Sequence, residues 1–273
     1  MHMVLDGYDW KSAIARHANG ADLDFICEML GRYRQMGVTY LRDGGDRWGV
    51  GAAARELAKE YGIVYRTPLA PLCKKGHYGA FIGAVYEDFR EYKELVCKAR
   101  ENGADFIKIM ISGLMDFDRY GVLTEEGLPK REIWELIHIA HEEGFSVMAH
   151  ANGARTVEAA ADGGADSVEH GAYLDEQALS AMKENGVVWV PTLSTIANLR
   201  GKGRFQESAV QAILENAMEN AGRFASMGGL LAPGTDAGAW SVPHGSQTEM
   251  ALFKQAGADA VLEAGIAAIQ KKF

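Results

Sequence analysis

The chain has 273 residues, enough for one large α/β domain with a well-buried core. Hydrophobic residues make up 48% of it, and 28 basic against 37 acidic side chains give a net charge of −9. That balance argues against nucleic acid or an anionic membrane as partner, since both reward basic patches.

No apolar run approaches the roughly 20 residues that span a bilayer, and the first residues lack the order of a signal peptide. Three cysteines, Cys27, Cys73 and Cys97, form no CxxC pair, so reduced thiols and a cytoplasmic location are expected. No linker or low-complexity stretch divides the chain, so residues 1–273 read as a single domain.

In chain order, a strand stub at His2–Leu5 comes first, then an amphipathic helix at Asp22–Met36 and a strand at Val38–Leu41. Val50–Tyr61 reads as helix, Ile63–Tyr65 as strand, Glu87–Asn102 as helix and Phe106–Ile111 as strand. Lys130–Glu143 (helix), Ser146–His150 (strand), Arg155–Asp162 (helix) and Ser167–His170 (strand) continue the alternation. Asp175–Asn185 (helix), Val187–Pro191 (strand), Glu207–Met227 (helix) and Leu230–Thr235 (strand) complete it. Gly37, Gly62, Gly144 and Gly186 follow helices, where a left-handed C-cap is expected. Seven clear strands and the stub, each leading to a helix, point to a (β/α)₈ TIM barrel. A Rossmann sheet fits less well, because no GxGxxG follows the first strand.

In such a barrel the C-terminal strand ends face the active site. Lys108 lies inside an apolar strand, His150 and His170 end two others, and Asp236 follows the last. Imidazole nitrogen and carboxylate oxygen suit zinc or another borderline divalent ion. Each residue also has an ordinary reading: a rim hydrogen-bonder for either histidine, a snorkelling lysine, a turn-capping aspartate. Their recurrence at matching strand ends favours a joint metal site.

IKIMISG, VMAHANGA, DSVEHGAYLD, PGTDAG and VPHG, in this order, resemble the amidohydrolase superfamily. The likeness is to its prolidase, arginine carboxypeptidase and imidazolonepropionase-like branch, and GVTYLRDGGD resembles that group's second strand. The resemblance implies hydrolysis of a C–N bond, in a peptide-like or cyclic amide, through a metal-activated hydroxide. Lys108 would be carboxylated by CO₂ and bridge two metal ions. His150 and His170 would hold the more exposed ion, and Asp236 would bind the buried one and act as general acid–base. His77, Tyr120 and His244 lie in loops after strands and are candidates for substrate binding. Arg42 and Asp43 are expected to pair with each other, and His138 and His141 to face solvent from a helix; His17 carries no signal.

The chain departs from the family in two places. The first strand of the family ends in His-x-His, whereas here only His2 is present, in Met1-His2-Met3-Val4. The family's small β-sandwich is also expected to be lacking, which would leave apolar surface for a possible homo-oligomer. A weakened metal position, and an impaired barrel, are therefore an alternative. A lactonase or phosphotriesterase on the same site is another, and a Schiff-base aldolase using Lys108 is a third.

Overall fold

The computed structural model describes all 273 residues. Nine short strands run parallel: β1 Tyr40–Arg42, β2 Val64–Arg66, β3 Leu72–Lys74, β4 Ala84–Tyr86, β5 Ile107–Met110, β6 Val147–Ala151, β7 Ser167–His170, β8 Val188–Val190 and β9 Leu230–Leu231. Seven of them form one sheet in the order β4-β3-β5-β6-β7-β8-β9, and β1 pairs with β2. The amide of Asp105, just before β5, donates to the Thr67 carbonyl just after β2 at 3.0 Å. That bond joins the smaller pair to the larger sheet.

Two helices precede β1, seven lie between strands and two follow β9, while no helix separates β2, β3 and β4. The helices are α1 Trp10–Arg16, α2 Leu23–Gln35, α3 Val50–Ala58, α4 Phe89–Glu101, α5 Lys130–Glu142, α6 Ala154–Asp162, α7 Glu176–Glu184, α8 Ser194–Ala197, α9 Glu207–Ser226, α10 Thr248–Gln255 and α11 Leu262–Lys272. Asp22, Asp88 and Asp175 begin α2, α4 and α7 by accepting the amides of Phe25, Glu91 and Ala178. Each supplies an acceptor for a donor with no partner inside the helix. Gly144 and Gly186, which follow helices, adopt φ of +84° and +62°, as expected for left-handed caps.

Burial follows from the parallel arrangement, because helices cover the sheet. Every residue of β5, β6 and β8 is buried. Trp189, Phe224 and Phe253 are fully buried in the apolar layer shared with these strands. No helix is long and apolar enough to cross a membrane.

Three expectations change. His2–Leu5 is not a strand: the Leu5 amide turns back to the His2 carbonyl, and the Met3 amide donates to the Asp43 carboxylate. Met3, Val4 and Leu5 instead pack into a core with α2 and α3. The last predicted strand stops at Leu231, since Pro233 has no amide to pair with. Val50–Tyr61 is helical only to Ala58 and tightens into a 3₁₀ turn over Lys59–Tyr61.

Candidate active site

The strand ends bring five of the predicted residues together. Lys108, on β5, pairs in register with Met148 of β6, and His150 of β6 with Glu169 of β7. His2, Lys108, His170 and Asp236 line one small cavity of about 20 Å³. The His150 and His170 rings lie edge to face with centroids 4.5 Å apart. His170, Thr192 and Asp236 all have positive φ, at +72°, +50° and +51°. For residues with a Cβ that conformation is strained, and such strain gathers at functional sites.

Hydrogen bonding assigns the ring protons. His150 Nε2 donates to the Gly113 carbonyl at 3.2 Å, which leaves Nδ1 as a free acceptor. His2 Nδ1 donates to the Gly45 carbonyl at 3.4 Å, so its Nε2 carries a lone pair. That lone pair stands 3.8 Å from Asp236 Oδ1. Burial drives His2 down to about 3, so the ring is neutral at pH 7 and no proton bridges the two acceptors. Two acceptors at that separation suit a cation, because two ligands each about 2 Å from one ion span such a gap.

Burial pushes Asp236 up, but the positive charge around it more than offsets this and holds it well below the usual carboxylate range. Burial lowers His2, His170, Lys108 and the N-terminal amino group alike below their ordinary values. Lys108 is 3% exposed, and its ammonium has no hydrogen-bond or ion-pair partner. Burial lowers it below the ordinary lysine value, although Glu169 and Asp236 act in the opposite sense. The donor set therefore matches a divalent cation in chemistry, while no three His, Cys, Asp or Glu side chains stand grouped as a finished metal cluster.

No family model matches the chain. It is 27% identical over 232 residues to ochratoxinase of Aspergillus niger, a match covering 78% of this chain and 45% of that protein. The chain thus spans less than half the length of this relative. The solved structure of A. niger ochratoxinase superposes with a TM-score of 0.79 at 22% identity, over 97% of this chain and 67% of that one. A Xaa-Pro dipeptidase with bound methionine gives 0.76 at 21%, over 99% and 71%. An amidohydrolase structure gives 0.79 at 20%, over 99% and 72%. The chain is thus similar to hydrolases of the amidohydrolase superfamily in sequence and in fold.

The three residues expected to bind substrate do not line that small cavity. His77 is bonded through Nδ1 to Glu125, which also accepts the Tyr78 amide at 2.9 Å. Tyr120 is 51% exposed and packs edge-on against Tyr173. His244 is buried, accepts the Tyr33 hydroxyl on Nδ1 and donates from Nε2 to the Leu5 carbonyl, both at 2.8 Å. Its two ring nitrogens are thus occupied within the protein, and burial pulls it down to about 4.

Arg42 does not pair with Asp43. It reaches across to Glu169 at 3.1 Å and to the Ser167 hydroxyl at 2.9 Å, because alternation along β1 turns the two neighbours to opposite sides. His138 faces solvent as expected, and His141 lies half-exposed against Asp166. His17, passed over in the sequence, is buried with Nε2 unpartnered.

Sequence reasoning missed the residues that hold the histidines. Thr192 bonds His170 Nδ1 at 2.7 Å. Asn152 shares the Gly113 carbonyl with His150 and accepts the Ala172 amide on Oδ1. Tyr78 lies over the His150 ring, with centroids 4.9 Å apart. Asn152 and Thr192 each come within two residues of a strand end, which is the signal that could have flagged them.

Proposed function

We propose that this chain hydrolyses carbon–nitrogen bonds in peptide-like or cyclic amides, using a divalent ion held at Lys108, His150, His170 and Asp236 with His2. The parallel strands would form one (β/α)₈ barrel domain over residues 1–273, with the site at the C-terminal strand ends. The observation that carries the reading is the paired acceptors His2 Nε2 and Asp236 Oδ1 beside the unpartnered Lys108. Its relatives support it, since ochratoxinase and the Xaa-Pro dipeptidase are hydrolases by name.

When bound, the ion supplies Lewis-acid polarisation of the amide carbonyl and makes water more acidic. The residues of the chain do the rest. Asp236, ionised and partly buried, takes the proton of the attacking water and passes it to the leaving nitrogen. Lys108, short of solvation and of partners, is suited to react with CO₂ as the free amine and become an anionic carbamate ligand. Thr192, Asn152 and the Gly113 carbonyl orient the two imidazoles so that one nitrogen of each stays available. Glu125 fixes His77, leaving its Nε2 for the substrate carbonyl.

A weaker metal position has its own support, in the lack of any ready group of three ligands. The test is zinc-dependent turnover of a dipeptide panel. Activity that rises with added zinc, falls with chelator and drops at least about 10³-fold in Asp236→Asn supports the proposal. Unchanged activity in Asp236→Asn at intact fold refutes it.

A further inference from the structure

We infer that Glu249 is a positioning residue for His170, acting through the strained turn at Thr192. The inference rests on the proposed role of His170 as a metal ligand. It adds a residue that lines no part of the small cavity around Lys108.

Chain order sets up the relay. β8 ends at Val190, Pro191 follows without an amide to donate, and Thr192 then leads the chain into α8. Thr192 does so at φ +50°, uncommon for any residue with a Cβ and an outlier for a β-branched one. In that conformation its hydroxyl meets His170 Nδ1 at 2.7 Å. When Nδ1–H donates to the hydroxyl, Nε2 keeps the lone pair that a cation needs. The hydroxyl thus selects the imidazole tautomer, but only while the turn holds its strained shape.

Two sets of bonds hold that shape. On one side the Thr192 carbonyl accepts the Thr195 amide at 2.9 Å and the Thr195 hydroxyl at 2.8 Å. On the other, Glu249 takes the next two amides: Oε1 accepts from Leu193 at 2.9 Å and Oε2 from Ser194 at 2.7 Å. The Ser194 hydroxyl adds a third bond to Oε2 at 2.6 Å. Those amides open α8 and have no acceptor inside it. Glu249 reaches them from the first turn of α10 and is almost fully buried. Every hydrogen bond of its carboxylate goes to this one turn. Burying a carboxylate is costly unless such donors converge on it, and an apolar side chain would join α10 to α8 without that cost. A strained backbone persists only where its surroundings fix it from several directions. Glu249 is the direction that comes from outside the turn.

Glu249→Gln keeps the side-chain shape but replaces one acceptor oxygen by a donor, so one of the two amides loses its partner. Nitrogen NMR of the metal-free protein reads the His170 tautomer, and zinc titration calorimetry reads the affinity. The Nδ1–H tautomer should dominate in the wild type and give way to a mixture in Glu249→Gln, with zinc held about tenfold or more less tightly. Thr192→Val, which removes the hydroxyl, should do the same. Adding Glu249→Gln to it should then change the affinity by less than about twofold, because both act through one bond. An unchanged tautomer in Glu249→Gln overturns the inference even if the urea midpoint falls, since the tie is then structural alone. Independent losses in the double variant overturn it as well. If circular dichroism shows Glu249→Gln unfolded, Ser194→Ala, which removes one bond to Oε2, takes its place. A partial shift of the tautomer then supports the inference, and none refutes it. Absence of zinc binding by the folded wild type would refute the metal reading and leave the tautomer to decide the role of Glu249.

Discussion

The run from β5 to β8 and the borders of the β1–β9 gap are built from the same kinds of residue but differ in completeness. Across β5, β6, β7 and β8 the register is continuous, from Ile107 opposite Val147 to Glu169 opposite Val190. Helices α4 to α7 cover that side with fully buried side chains such as Tyr92, Leu136 and Val157. On the other side β9 has two paired residues, β1 has three, and a cavity of about 600 Å³ lies between them. The candidate site straddles the two. Lys108, His150 and His170 come from the completed side, whereas His2 and Asp236 come from segments held by isolated bonds. The lesson is that the histidine pair is rigidly placed, while the two acceptors His2 and Asp236 depend on the less complete half.

Four variants sharpen or break this contrast, in falling order of effect. Trp189→Ala empties a fully buried site on β8 and removes the bond from the indole nitrogen to the His170 carbonyl. It should cost ~3–5 kcal/mol in urea unfolding, and a loss below about 1 would show that this side is not tightly packed.

Glu249 borders the gap and is 2% exposed. Burial raises it to about 7 against the acceptor bonds from Leu193 and Ser194, so its folded value lies above its unfolded one. Stability from this group is therefore complete below pH 4.5 and is lost as pH rises through about 7. Between pH 5 and pH 8 the wild type should lose up to ~3 kcal/mol more than Glu249→Gln. Parallel pH profiles for the two proteins would contradict the assignment.

Leu41→Ala, on β1, should cost about 2 kcal/mol, at the low end for leucine because the neighbouring cavity lets the site relax. A cost above that of Trp189→Ala would reverse the comparison. Tyr33→Phe removes one buried bond to His244 and should cost ~1 kcal/mol, seen as a small drop in the urea midpoint. It should leave turnover unchanged if His244 serves only to tie α2 to the Leu5 carbonyl.

The alternation of strands with glycine-ended helices was legible, because it rests on local periodicity and on caps such as Gly144 and Gly186. The gathering of Lys108, His150, His170 and Asp236 could be anticipated for a related reason: one topological rule sends strand ends to one face. What stayed hidden was set by distant partners. β3 and β4 are three residues each and have no period of their own. The Asp43 carboxylate, 40 positions away, takes the amide of Met3 and so helps to dissolve the predicted first strand. Arg42 finds Glu169 rather than its neighbour, and Thr192 finds His170 across two strands.

The most direct test of the central claim is zinc binding measured by titration calorimetry on the wild type, Asp236→Asn and His170→Asn. The account predicts at least one zinc per chain in the wild type, with affinity reduced about tenfold or more in each variant. Absence of zinc binding by the folded wild type, or equal affinity in all three, would contradict it.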